Sequence, residues 1–177
     1  MKIYKPREDS FLLLNEILKQ KKVENALDMG TGSGILALEL AKISKNVIAV
    51  DINKESIKEF NKIIKKNKIS NIKTINSDLF SKVTGKFDLI VFNPPYIPTT
   101  KGKIEFIDLD GGKNGTEVIK GFLKDAAEHL TKEGRILLLT TSLNKNIGGL
   151  FKKYGYYYKK LSEKKIFFEK LFVWELK

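Results

Sequence analysis

The sequence predicts a doubly wound α/β fold, with a mostly parallel seven-stranded sheet, helices on both faces and one antiparallel strand near the C-terminal edge. Three observations carry this. Strand-like and helix-like segments alternate along the chain with no repeat and no low-complexity linker, the pattern of βαβ units. Val47, Ile48, Ala49 and Val50 are all apolar, as in a strand covered on both faces. The last two strands are joined only by Ser162–Lys165, too short for a crossover, so that pair must be antiparallel.

The elements follow in order. Asp9 or Ser10 can cap a first helix with Phe11, Leu14, Ile17 and Leu18 on one face. Asn25–Met29 reads as a strand stopped by Gly30, and a helix follows from about Gly34 to Ile43. Asn46–Asp51 is the second strand. Asn53 then caps a helix bearing Ile57, Phe60 and Ile64 on one side. Ile72–Asn76 and Lys86–Phe92 are strands. After Thr116 the apolar stripe Val118, Ile119, Phe122, Leu123, Ala126, Ala127 and Leu130 predicts a helix ended by Glu133-Gly134, with Arg135–Thr141 as the next strand. A short helix near Lys145–Lys153 leads to strands at about Tyr156–Leu161 and Ile166–Leu176. The expectation is a single domain over 1–177, with 1–24 as an N-terminal extension and helix and 25–177 as the core.

Composition narrows the function classes. There is no cysteine and a single histidine, His129, so neither a disulfide framework nor a structural zinc site is expected, and no metal ligands are assigned. No apolar run approaches the roughly 20 residues of a membrane span. The start does not read as a signal peptide, and the expected location is cytoplasmic. The net charge is +12, but all except Arg7 and Arg135 of the 33 Lys+Arg residues are lysines. The chain is therefore poor in the side chain best suited to bidentate base and phosphate recognition.

Two segments carry chemistry. Asp28-Met29-Gly30-Thr31-Gly32-Ser33-Gly34 lies where the first core strand meets its helix, a turn that lets a ligand approach the backbone. Counted from Gly32, the run meets the looser G-x-G-x-x-A dinucleotide form, so a nicotinamide or flavin cofactor stays open. Asp51, about 20 residues on, can accept ribose hydroxyls. Asp28, Asp51 and Asp78 stand at the ends of successive strands. An acid inside the glycine turn disfavours pyrophosphate and suits a cationic nucleoside such as S-adenosylmethionine. The fourth strand runs into Asn93-Pro94-Pro95-Tyr96, whose prolines lack N–H donors and leave carbonyl acceptors. Asn93 and the Pro94 carbonyl can accept the two hydrogens of a planar amino group, with the Tyr96 ring face beside it.

Together Asp28–Gly34, Asp51, Ser77-Asp78-Leu79-Phe80 and Asn93-Pro94-Pro95-Tyr96 resemble the class I S-adenosylmethionine-dependent N-methyltransferases. Tyr4-Lys5-Pro6-Arg7-Glu8-Asp9-Ser10 and Gly111-Gly112-Lys113-Asn114-Gly115 resemble a narrower branch, the HemK-related glutamine methyltransferases of archaeal and eukaryotic release factors. The resemblance implies S-adenosyl-L-methionine as cofactor, contacted by Ser10, Asp28, Gly30, Gly32, Gly34, Asp51, Asp78, Leu79 and Asn93. It implies Asn93, Pro94, Pro95 and Tyr96 as the catalytic segment and a release-factor glutamine as the acceptor. It also implies a small zinc-binding activator subunit paired along the sheet edge, for which Ile72–Ile75 is the candidate strand. The tetrapeptide does not separate glutamine from an exocyclic amine of an RNA or DNA base, and a protein lysine is a further acceptor. The long stretch Ile97–Asn114 is expected to cover the substrate. Tyr156–Tyr158, Phe167, Phe168 and Trp174 read as packing, and His129 as a helix C-terminal residue.

Overall fold

The computed structural model describes residues 6–97, 111–167 and 169–177. The expected cover over Ile97–Asn114 falls mostly on residues outside these ranges, as do Tyr4, Lys5 and Phe168. In chain order the elements are α1 (Glu8–Ile17), β1 (Val23–Met29), α2 (Ile35–Ile43), β2 (Ser44–Asp51), α3 (Lys54–Lys66), β3 (Ile72–Asn76), β4 (Phe87–Phe92), α4 (Glu117–Ala126), β5 (Leu130–Thr141), α5 (Ile147–Lys153), β6 (Tyr158–Ile166) and β7 (Glu169–Leu176). The seven strands form one sheet in the order β3-β2-β1-β4-β5-β7-β6. β3, β2, β1, β4 and β5 pair in parallel, whereas β7 pairs antiparallel with both neighbours. The reversed strand is therefore the penultimate one.

Side-chain alternation on these strands divides the apolar residues between two layers. Leu89 and Val91 of β4 and Leu137 and Leu139 of β5 pack with Leu13 and Ile17 of α1, Leu36 and Leu40 of α2, and Phe60 of α3. Ile90, Phe92, Ile136 and Leu138 point the other way, against Ile119, Phe122 and Leu123 of α4 and Phe151 of α5. Each such side chain, fully buried, contributes about 1.5–3 kcal/mol. Coverage on both faces is why Leu89, Ile90, Val91 and Phe92 of β4 read as a continuous apolar run. At the opposite end of the sheet Asp88 ties strands together. Its Oδ2 accepts from the Glu24 and Asn25 amides at 3.1 and 3.0 Å, and its Oδ1 from the Thr131 hydroxyl at 2.9 Å.

Three expectations are corrected. Arg7, not Asp9 or Ser10, occupies the α1 N-cap. The buried side of that helix is Asp9, Ser10, Leu13, Glu16 and Ile17, while Phe11 and Leu18 are more than half exposed. Of the expected stripe Ile17 is buried and Leu14 partly so, while Asp9 and Ser10 are buried because they line the cavity at the sheet rim. The fourth helix stops at Ala126, followed by a 3-10 turn over Ala127–His129, and β5 already begins at Leu130. Residues 131–134 bulge out of the ladder with β4, where Phe87 pairs with Leu130 and Leu89 with Arg135. The C-terminal hairpin is displaced from the expected spans. Tyr156 precedes it, buried with its hydroxyl donating to the Leu123 carbonyl at 2.9 Å, and the connection is shorter than Ser162–Lys165.

Candidate active site

β1, β2 and β4 lie side by side and parallel, so the segments leaving their C-terminal ends converge on one crevice. A cavity there is lined by Gly30, Thr31, Gly32, Asp51, Asn93 and Tyr96, and Asp9 and Ser10 of α1 line it too. Gly30 sits at φ 67°, in the left-handed region. A side chain there would also stand 3.2 Å from the Phe92 ring. The turn is held from outside: the Thr31 amide donates to the Val50 carbonyl at 2.8 Å. The Gly32 amide donates to Asp51 Oδ2 and the Asn53 amide to Asp51 Oδ1, both at 2.8 Å. Asp51 thus joins the glycine turn to the start of α3, where the Asn53 side chain caps Glu55 as expected.

Not all residues singled out in the sequence reach this cavity. Asp28 lies wholly buried beneath the turn, its Oδ2 accepting from the Thr31 hydroxyl at 2.6 Å. Burial pushes its carboxyl up to about 7. The Thr31 hydroxyl and the Ala37 amide pull the other way, and the Asp51 charge adds to the rise. A group half-protonated near neutrality is not the fixed anion that the sequence argument assumed. The acidic side chains lining the cavity are Asp51 and Asp9. Gly34, the αL N-cap of α2 at φ 84°, is not among the lining residues. A Cβ there would fall 2.1 Å from the Phe60 ring, so packing requires this glycine. Asp78 and Leu79 line a different depression, with Phe80, Gly121, Asp125 and His129.

The tetrapeptide after β4 is in the cavity wall, from Asn93 to Tyr96. Asn93 Nδ2 donates to Ser10 Oγ at 3.4 Å, and Oδ1 is buried without a hydrogen-bond partner among the described residues. An unsatisfied buried acceptor costs about 1–3 kcal/mol, so this atom is poised for a donor from outside the chain. Tyr96 is 7% exposed and its hydroxyl donates to Asp9 Oδ2 at 3.1 Å. Its position is fixed by that bond, and little of its ring is left open for stacking.

Sequence reasoning missed Asp9 as Tyr96's partner, because an acid at a helix start reads as a cap. It read Asn53 as a cap only, although the residue also lines the cavity with its Nδ2 buried and without a hydrogen-bond partner among the described residues, and it passed over Asn144. Among the described residues no helix is long and apolar enough to cross a membrane.

Comparison with known proteins gives a consistent picture. Residues 8–166 match the family model described as the methyltransferase small domain. A protein of Methanocaldococcus jannaschii, provisionally named a protein N5-glutamine methyltransferase, is 40% identical over 148 residues, covering 80% of this chain and 73% of that protein. A release factor glutamine methyltransferase of Buchnera aphidicola is 34% identical over 146 residues, covering 75% of this chain but only 53% of its own length. The structure of the Mtq2–Trm112 complex from E. cuniculi, described as responsible for methylating the termination factor eRF1, superposes with a TM-score of 0.77. There the identity is 27%, covering 99% of this chain and 98% of that one.

Proposed function

The chain belongs to the methyltransferase small domain family, and on that premise we propose that it methylates the side-chain amide nitrogen of a glutamine in a peptide chain release factor. The observation that carries the reading is Asn93 Oδ1, an acceptor buried in the cavity wall with no hydrogen-bond partner among the described residues. The names of the archaeal and bacterial relatives and the eRF1-methylating structural match support the same acceptor.

S-adenosyl-L-methionine, the cofactor of this methyltransferase class, supplies when bound a methyl group already activated on a sulfonium. The residues present fit it. Gly30 and Gly32 bring bare backbone to the cavity wall, and the acids lining the cavity suit a positively charged ligand better than a pyrophosphate. Ser10, Gly30, Gly32, Asp51 and Asn93 would hold the cofactor. A carboxylate oxygen accepts two hydrogen bonds, so the backbone bonds to Asp51 remain compatible with ribose hydroxyls. Asp28 and Gly34 act from behind the turn, by shaping it.

The acceptor side follows from the tetrapeptide. A glutamine amide nitrogen is a weak nucleophile because its lone pair is delocalised. Asn93 Oδ1 and the Pro94 carbonyl would accept its two hydrogens, bonds that strengthen as positive charge grows on nitrogen. No base is needed before transfer. Aligning the nitrogen with the methyl carbon supplies roughly 7–11 kcal/mol of the barrier reduction.

The chain reads as one domain, because α1 packs in the sheet's own core layer and supplies Asp9 and Ser10. We assign β3 as the docking edge for a small partner subunit, a zinc protein being the candidate. The sheet's two edges differ in charge. β6 carries Lys159, Lys160, Lys164 and Lys165, whereas β3 carries Lys73 alone. Cytoplasmic release factor is the proposed substrate, and the lysine excess would speed encounters with RNA-associated partners.

The deciding experiment offers release factor, tRNA and DNA in parallel to a labelled methyl donor, with and without a small zinc protein. Glutamine methylation is expected, and label found only in nucleic acid would overturn the assignment.

A further inference from the structure

Two consecutive prolines give the acceptor-binding segment an unusual problem of support. Pro94 and Pro95 have no N–H, so the backbone there cannot be pinned through its own donors. The position of the Pro94 carbonyl is therefore set at the two flanks. On one side Phe92 is fixed in the sheet, paired with Met29 and Leu138. On the other side stands Tyr96, held at its phenol by Asp9 and at its backbone by a residue 48 positions away, Asn144.

Asn144 follows β5 and is 4% exposed. Its Nδ2 spends both hydrogens on backbone carbonyls, Tyr96 at 3.0 Å and Gly115 at 2.8 Å. Its Oδ1 accepts from the Thr141 amide at 2.9 Å. One side chain thus joins the end of β5, the tail of the proline segment and the turn that enters α4. The chain next to the Tyr96 contact is anchored as well, since the Gly111 amide donates to the Ile97 carbonyl at 2.9 Å. The chemistry demands asparagine: two donors and one acceptor in a plane, on a short stem. Serine offers one donor, and aspartate would turn acceptors toward two carbonyls. Asn144 is not among the residues lining the cavity, so this support acts on the acceptor side of the site without touching the cofactor side.

We propose that Asn144 is a positioning residue for methyl transfer, which sets the Pro94 carbonyl by clamping Tyr96. The role in transfer rests on the function proposed above; the clamp itself does not.

The test compares wild type with Asn144→Ala, Asn144→Ser and Asn144→Asp. It measures kcat and KM for the acceptor, cofactor Kd by calorimetry, and Tm. Misplacing an acceptor-binding group by about 1 Å costs on the order of 100-fold, so kcat should fall roughly 10- to 100-fold in Asn144→Ala while cofactor Kd stays within about twofold. Asn144→Ser, with one donor, should fall between. In Asn144→Asp a protonated carboxyl regains a donor, so its kcat relative to wild type should rise as pH is lowered from about 8.5 to 6. A purely structural role would not produce that divergence. Unchanged kcat in the alanine and serine variants would overturn the proposal. So would losses that track Tm and cofactor Kd together, with an aspartate variant whose pH profile parallels wild type. Wild type inactive on release factor but active on another acceptor would sink the glutamine assignment. The variants are then compared on that acceptor.

Discussion

The substitution Gly34→Ala separates two jobs that a glycine in this turn can have. Sequence logic gives it to the cofactor; the structure gives it to Phe60. Alanine at φ 84° carries left-handed strain of about 1–2 kcal/mol. Its methyl would also sit 2.1 Å from a ring that is 1% exposed, so the Phe60 side chain must move within a packed layer. Overpacking of that kind costs typically about 1–3 kcal/mol, bringing the total to roughly 2–5 kcal/mol. For a domain of this size each kcal/mol lowers Tm by about 2–4 °C. Urea unfolding of Gly34→Ala, Phe60→Leu and the double variant closes a cycle. The expected outcome is a favourable coupling of about 1–3 kcal/mol, because leucine vacates the volume that the new methyl needs. Cofactor affinity in the double variant should return to near that of Phe60→Leu. Additive losses, or a stable double variant that still fails to bind cofactor, would refute the packing account and restore Gly34 as a ligand contact.

Other outcomes follow from the same geometry. Asn93→Ala should bind cofactor within a few-fold of wild type yet lose most turnover, and undiminished methyl transfer would remove Asn93 from the acceptor site. Asp28 holds its proton up to about pH 7 in the fold but to only about 3.8 as a free side chain. Its contribution to stability is therefore full below about pH 4 and is lost as pH rises toward 7, by up to about 4 kcal/mol. Asp28→Asn should gain stability relative to wild type across that interval, and a difference independent of pH in urea titrations would contradict the buried protonated carboxyl. Asp88 has the opposite sign. Burial raises its pKa, but bonds from Asn25, Thr131 and Glu24 and the Arg135 charge outweigh this and hold it below the usual range. Asp88→Ala should cost about 1–3 kcal/mol at neutral pH and progressively less as pH falls through the acidic range, and a constant cost would contradict it.

What the sequence reveals depends on whether a residue answers to its neighbours in the chain or to distant ones. β3 is found at its expected bounds, and β4 differs by one residue, because apolar runs bounded by turn residues report local burial. The reversed strand was legible from the shortness of one connection. Asp9 and Ser10 misled, because a polar residue at a helix start has a local explanation that hides a long-range one: Tyr96 lies 87 positions away. Asn144 was invisible for the same reason. An asparagine after a strand reads as a turn, and only the fold brings the Tyr96 and Gly115 carbonyls to it. The glycines divided in a way that spacing cannot show. Gly30 and Gly32 line the cavity, whereas Gly34 answers to an aromatic ring on another helix.

The placement of β7 between β5 and β6 also orders assembly in time. Among the described residues β6 pairs with β7 and no other strand, and the two are joined by a tight connection. That hairpin involves only local contacts and can close on the microsecond scale of isolated hairpins. The parallel core must first close crossovers through whole helices, the slower class of event. β5 is complete only with both neighbours, one of its edges being satisfied by β4 and the other by β7 of the hairpin. Asn144 follows that same strand, so its clamp on Tyr96 requires the end of β5 to be in place beside the proline segment. A variant that slows hairpin docking would leave the far edge of β5 open with the parallel part of the sheet already paired.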